Sequence, residues 1–185
     1  PGQGMITRFL QQRAKRLISV EIDQRLYDGL DVMFKLANNF ELIKQDFLKV
    51  DLHDFNFDQK IKVVGNIPYN ITSPIMFKIF DHRELVSDLT LLVQKEVGQR
   101  VVSQPSSKDY GILAVISQAI ADVDFRFTVP PTVFQPRPKV DSALITWRFT
   151  DKRAQNIKDE KFFRDVVKKA FGLRRKMLRN SLKVI

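Results

Sequence analysis

Asn66-Ile67-Pro68-Tyr69-Asn70 follows the apolar run Ile61-Lys62-Val63-Val64-Gly65 and precedes a helical pattern that begins near Ser73. A strand is expected to end there and a polar, proline-stiffened loop to begin. An amide, a proline carbonyl and an aromatic ring within four residues can hold a flat base that carries an exocyclic amine. Asn66 Oδ1 and a backbone carbonyl such as that of Pro68 are acceptors, and Tyr69 offers a stacking face. An aryl amine is a poor nucleophile because its lone pair is delocalised into the ring. Two acceptors that hold its hydrogens and favour a tetrahedral nitrogen help it attack, and a sulfonium methyl donor then needs no activation. The chemistry implied is in-line methyl transfer, driven by positioning and acceptor electrostatics rather than by a general base or a covalent nucleophile. The same residues also suit a plain proline turn capping a strand, and alone they do not decide between the two.

The elements that must position such a site run through the rest of the chain. Pro1-Gly2-Gln3-Gly4 opens it, ahead of a short amphipathic helix with Phe9 and Leu10. Gly2 and Gly4 would let backbone approach a ligand closely, although a short Gly-x-Gly is as often an ordinary turn. Such a loop should follow a strand, and none precedes it here, so the sequence is expected to start partway into a larger protein. A buried-type strand from Arg16 to Val20 ends in Glu21-Ile22-Asp23, and a helix follows through Leu26, Leu30, Met33, Phe34 and Ala37. An acidic residue about 20 positions past a glycine loop is where a ribose-hydroxyl acceptor sits in nucleotide-binding folds, which points to Glu21. Helix capping is the competing role, above all for Asp23. Phe40 to Lys44 is the next strand. Beyond it Asp46 can accept from an adenine amine while Phe47 covers the ring, though an Asp after a strand is usually a turn residue.

Further on, Ile75, Met76, Ile79 and Phe80 mark a helix packed on a sheet, Leu85 to Val93 a strand, Lys95 to Val102 a helix, and Ile112 to Ile120 another. Lys95 and Arg100 face either solvent or RNA. Val123, Phe125, Phe127 and Val129 alternate, as do Ala143, Ile145, Trp147 and Phe149, which gives antiparallel strands at the edge of an otherwise parallel sheet. The stiff loop Pro130 to Ser142 between them holds Phe134, Arg137 and Lys139, an aromatic and basic surface suited to a splayed-out base and its phosphates. A Phe plugging the core beneath a connecting loop is the alternative. Composition turns polar from Thr150 to Asn156, taken as a boundary between residues 1–152 and 153–185. Past it lie an apolar helical stripe and the run Arg174-Arg175-Lys176-Met177-Leu178-Arg179-Asn180-Ser181-Leu182, whose basic face suits phosphate contact or plain solvation.

Composition narrows the classes. The 185 residues are 44% hydrophobic, with no apolar run of membrane-spanning length, so the expected protein is soluble and cytoplasmic, with no membrane partner. Cysteine is absent and histidine limited to His53 and His82, which removes thiolate and iron-sulfur chemistry and leaves no metal expected. Lysine and arginine total 31 against 21 acidic residues, a net charge of +10, suiting a polyanionic partner such as nucleic acid.

Pro-Gly-Gln-Gly, Val-Glu-Ile-Asp, Gln-Asp-Phe-Leu, Asn-Ile-Pro-Tyr-Asn-Ile, Gln-Lys-Glu-Val, Phe-x-Pro-x-Pro-Lys-Val-Asp-Ser and Arg-Arg-Lys-Met-Leu-Arg-Asn-Ser-Leu occur in this order. The ordered set closely resembles the rRNA adenine dimethyltransferase family, in particular its bacterial small-subunit branch; the family also holds the Erm resistance methyltransferases. The resemblance implies an α/β fold, a Rossmann-like S-adenosylmethionine-dependent methyltransferase domain with an antiparallel edge strand, followed by a small helical domain. It implies that Gly2 and Gly4 lie beside the methionine part of S-adenosylmethionine, that Glu21 with Ile22 holds its ribose, and that Asp46 and Phe47 hold its adenine. Asn66, Pro68 and Tyr69 would bind the target adenine, with Phe134 on its other face and Asn66 also bordering the cofactor. Lys95, Arg100, Arg137, Lys139, Arg174, Arg175, Lys176 and Arg179 are the expected RNA contacts. The implied reaction is dimethylation of adenine amines in small-subunit rRNA of an assembling ribosomal subunit, by a monomer, leaving S-adenosylhomocysteine. The family's first strand and a cofactor-covering segment have no counterpart here. This stretch alone is therefore expected to bind cofactor less well than an N-terminally extended protein.

Overall fold

The computed structural model of the chain describes residues 1–172 and 178–182. Among them six strands form where the sequence alternates or runs apolar: β1 (Leu17–Glu21), β2 (Phe40–Lys44), β3 (Ile61–Asn66), β4 (Val86–Gln94), β5 (Ala121–Val129) and β6 (Ser142–Phe149). The helices are α1 (Thr7–Gln11), α2 (Gln24–Phe34), α3 (Thr72–Asp81), α4 (Lys95–Val102), α5 (Ile112–Ile120), α6 (Asp151–Ala154), α7 (Glu160–Gly172) and α8 (Leu178–Ser181). By compactness the chain divides into a first unit, Pro1–Phe57 with Ser73–Lys78, and a second, Asp58–Thr72 with Ile79–Ile185.

In the first unit β1 and β2 pair in parallel, from Leu17 opposite Phe40 to Glu21 opposite Lys44, joined by α2. That helix starts at Gln24 because the Asp23 carboxylate accepts from Arg25 N at 2.9 Å and Leu26 N at 3.1 Å, satisfying two donors that the first turn leaves open. Capping is thus the structural role of Asp23. Leu30 and Phe34 are the buried face of α2, and the Phe34 ring lies 4.4 Å from that of Phe40, centroid to centroid. Asn39 fixes the end of α1 beside β2, donating to the carbonyls of Gln11 and Ala14 at 2.9 and 2.7 Å.

The second unit holds a sheet of order β3-β4-β6-β5, with β3 parallel to β4 and β6 antiparallel to both β4 and β5. The reversed strand therefore lies one place in from the edge, and β5 takes the edge itself. The loop from Pro130 to Asp141 returns the chain beside β5 without a crossover helix, which requires an antiparallel neighbour. Ala143, Ile145 and Trp147 of β6 are wholly buried, whereas β5 is mostly half-exposed, so the more apolar strand goes inside. Phe80 packs on Trp147 and Phe149 with ring centroids 6.2 and 6.0 Å apart. α4 lies close on β6 through Gly98, where a Cβ would come within 2.9 Å of Ile145 Cδ1 and 3.1 Å of Ala143 Cβ.

α7 is tied to the end of α3 by charge: Arg83 pairs with Glu160, and Arg164 with Asp81. Burial lowers the Arg83 guanidinium below its ordinary pKa, and nearby Arg164 adds to this while the Glu84 and Asp81 carboxylates oppose it. Among the described residues no helix is long and apolar enough to cross a membrane.

Candidate active site

In the first unit the acceptors expected to hold a cofactor lie at or just beyond the carboxyl ends of β1 and β2, the end where ligands bind in open parallel sheets. Glu21, the last residue of β1, is buried, and its carboxylate is well supplied with donors. Oε1 accepts from Ile22 N and Asp23 N, both at 3.0 Å, while Oε2 accepts from Gly2 N at 3.1 Å and lies 3.5 Å from the Pro1 amine. A carboxylate offers about four lone-pair positions and three of them hold hydrogen bonds, so one position on Oε2 is left for a ribose hydroxyl. Ile22 itself is 66% exposed. Asp46, two residues past β2, accepts from Leu48 N at 3.0 Å through Oδ1, which leaves Oδ2 for a ligand amine, and Phe47 beside it is half-buried.

Gly2 and Gly4 both have positive φ, +61° and +78°, which explains two glycines at these places. Their surroundings differ. A Cβ at Gly2 would meet nothing within 4 Å, leaving backbone open to a ligand, whereas at Gly4 it would crowd Leu30 and Met33 of α2 at 3.0 and 3.1 Å. The acceptors of this unit, two carboxylates at strand ends with a glycine backbone bonded to one of them, fit the hydroxyls and amine of a nucleoside cofactor.

In the second unit one edge of the sheet collects the other candidates. The register sets Asn66 opposite Leu92, and Gln94 opposite Ser142, which in turn faces Val129. The carboxyl ends of β3, β4 and β5 and the start of β6 therefore share one margin. Asn66 is exposed, and among the described residues its amide has no hydrogen-bond partner. Pro68 is exposed too, and its carbonyl accepts from Ile71 N at 3.2 Å in a short 3-10 turn, so one of its lone pairs is already used. Tyr69 is half-buried, and its hydroxyl lies 2.6 Å from Ser142 Oγ. Phe134 is half-buried on the proline-rich loop, whereas Arg137 and Lys139 are exposed.

Two of the expected RNA contacts are paired within the protein. Lys95 Nζ lies 3.1 Å from Asp141 Oδ2, and Arg100 pairs with Glu96 one helical turn back. Such exposed pairs contribute about 0–1 kcal/mol and exchange readily for phosphate. Arg179 is exposed on α8; Arg174, Arg175 and Lys176 lie outside the described residues. Sequence reasoning overlooked Gly65, where a Cβ would come within 2.8 Å of Leu91 Cδ2, and gave Asp141 and Ser142 no role. The available signals were a glycine directly before Asn66 and the Asp-Ser that ends the proline loop.

The fold is that of a Rossmann-like S-adenosylmethionine-dependent methyltransferase. A dimethyladenosine transferase from Plasmodium falciparum superposes with a TM-score of 0.83 at 27% identity, covering 98% of this chain and 64% of that one. The 23S rRNA methyltransferase ErmE gives 0.77 at 28% identity, covering 98% and 72%. Ribosomal RNA small subunit methyltransferase A of Caldanaerobacter subterraneus is 44% identical over all of this chain, and that of Geobacter metallireducens 42% identical over 99% of it. This chain spans 70% and 68% of their respective lengths. The family model for ribosomal RNA adenine dimethylase matches residues 1–185, and the chain belongs to that family.

Proposed function

We propose that this chain transfers methyl groups from S-adenosylmethionine to the exocyclic amines of adenines in small-subunit rRNA. The observation that carries this reading is the 41–44% identity to small-subunit methyltransferases across nearly the whole chain, against 28% to the 23S enzyme. The cofactor supplies an electrophilic sulfonium methyl and becomes S-adenosylhomocysteine. Glu21, supported by the backbone at Ile22, binds the ribose hydroxyls, Asp46 and Phe47 take the adenine of the cofactor, and Gly2 and Gly4 admit its methionine part. Asn66 Oδ1 and a carbonyl of the Pro68 turn accept the hydrogens of the target amine, while Tyr69 and Phe134 flank its ring. Holding those hydrogens favours a pyramidal nitrogen whose lone pair points along the line of transfer, and the proton is lost after the methyl arrives. No metal enters this chemistry.

Arg137 and Lys139, together with Arg174, Arg175, Lys176 and Arg179, hold phosphates, and Lys95 and Arg100 join them where RNA displaces their carboxylates. The catalytic domain takes in residues 1–152, and the segment after it carries α7 (Glu160–Gly172). The protein acts as a cytoplasmic monomer on an assembling small subunit. The test is labelled-methyl transfer onto under-methylated small subunits, large-subunit RNA and duplex DNA in parallel. Dimethyladenine in the small subunit, lowered at least about a hundredfold by Asn66→Ala, is the expected result. Label only in large-subunit RNA overturns the assignment.

A further inference from the structure

Asp141 and Ser142 end the proline-rich loop and have no part in the assignments above, yet they sit where three segments of the second unit meet. Ser142 is wholly buried, although serine is a polar residue. A hydroxyl with no access to water is costly unless it is bonded, and its partner is the Tyr69 hydroxyl at 2.6 Å, 73 positions earlier in the chain. The preceding residue is held as well. The Asp141 carbonyl accepts from Lys95 N at 2.9 Å, and the Lys95 ammonium lies 3.1 Å from the Asp141 carboxylate. Within the sheet Ser142 faces Gln94 on one side and Val129 on the other. Its position is thus set by two strands and by the first residue of α4.

A ring used only for stacking needs no hydroxyl, and phenylalanine would supply the same face. A tyrosine at position 69 is explained if the hydroxyl does separate work. A half-buried ring on a short turn can swing about its Cα–Cβ bond, which carries its far end sideways across the site. A hydrogen bond at its far end, to an atom that cannot move, stops this.

We propose that Ser142 is a positioning residue: its hydroxyl, placed by the β4–β6 register and by the bond from Lys95 N to the Asp141 carbonyl, fixes where the far end of the Tyr69 ring lies against the adenine that is methylated. This rests on the function proposed above. The Gln-Lys-Glu-Val and Lys-Val-Asp-Ser motifs then form one support, built from both sides of the same strand pair, and the Asn-Ile-Pro-Tyr loop is braced by it.

Two readouts separate this from a merely structural serine. The protein has three tyrosines, Tyr27, Tyr69 and Tyr110, so 3-fluorotyrosine labelling gives three fluorine resonances. Ser142→Ala should shift the Tyr69 resonance and leave the other two in place. In the methyl-transfer assay Ser142→Ala and Tyr69→Phe should each lower kcat roughly tenfold, with KM for S-adenosylmethionine unchanged. The double variant should fall no further than either single one, because both remove the same bond. An unmoved Tyr69 resonance, a wild-type kcat in Ser142→Ala, or additive losses in the double variant overturn the proposal. Should Ser142→Ala fail to fold, Tyr69→Phe decides by itself, since full kcat in that variant refutes the tether. A wild-type protein without transfer whose Tyr69 resonance still responds to Ser142→Ala refutes the proposed function and leaves the tether standing.

Discussion

Substituting Gly98 by alanine tests whether the close approach of α4 to β6 is what supports the Lys95–Asp141 margin. Alanine is the better helix former, and in a helix interior the exchange by itself stabilises by about 1 kcal/mol. Here the added methyl would stand 2.9 Å from Ile145 Cδ1 and 3.1 Å from Ala143 Cβ. Ile145 can rotate its terminal methyl only into a filled core, since it is wholly buried, and Ala143 Cβ is attached directly to strand backbone and cannot turn away. The helix has to lift, and overpacking of this kind costs about 1–3 kcal/mol. With contacts this short on two sides the upper part of that range applies, for a net loss of about 1–2 kcal/mol after the propensity gain. Trp147 is the sole tryptophan and lies buried in β6, so urea unfolding followed by its fluorescence reports the affected unit. Because Lys95 begins α4 and Ser142 begins β6, transfer activity should fall together with stability. Gly29 on α2 is the contrast: a Cβ there meets nothing within 4 Å, and Gly29→Ala should stabilise the first unit by up to about 1 kcal/mol, as read by circular dichroism. Gly98→Ala as stabilising as Gly29→Ala would refute the reasoning.

Removing the α2 cap with Asp23→Ala should cost about 1 kcal/mol, measured by thermal or urea unfolding; a change within error would mean that Gln24 or water replaces the two bonds. Arg137→Ala and Lys139→Ala should each weaken RNA binding alike across sequences and reduce the slope of log affinity against log salt by about 1. A wild-type slope near zero would remove the basic loop from the RNA surface.

Much of the fold was legible because hydrophobic period is a local property. β2, α4 and α5 fall on the spans read from sequence, and β3 ends at Asn66, where an apolar run meets a proline turn. The role of Asp23 was half legible: an acidic residue ahead of a helical pattern suits a cap, and only the bonds to Arg25 N and Leu26 N assign it.

The sequence by itself determined the element types, the family and the set of residues able to do chemistry, since these rest on side-chain identity and short spacing. Only tertiary structure decided what those residues touch. That β6 lies between β4 and β5 goes with its burial: Ala143, Ile145 and Trp147 are wholly buried while β5 stays mostly half-exposed, a ranking set only when all strands compete for the same interior. That Lys95 meets Asp141 and Tyr69 meets Ser142, 46 and 73 positions apart, follows from strand register, which brings distant segments to one margin. No local pattern carries that information, because a side chain on a strand records the face it occupies but not the neighbour opposite it.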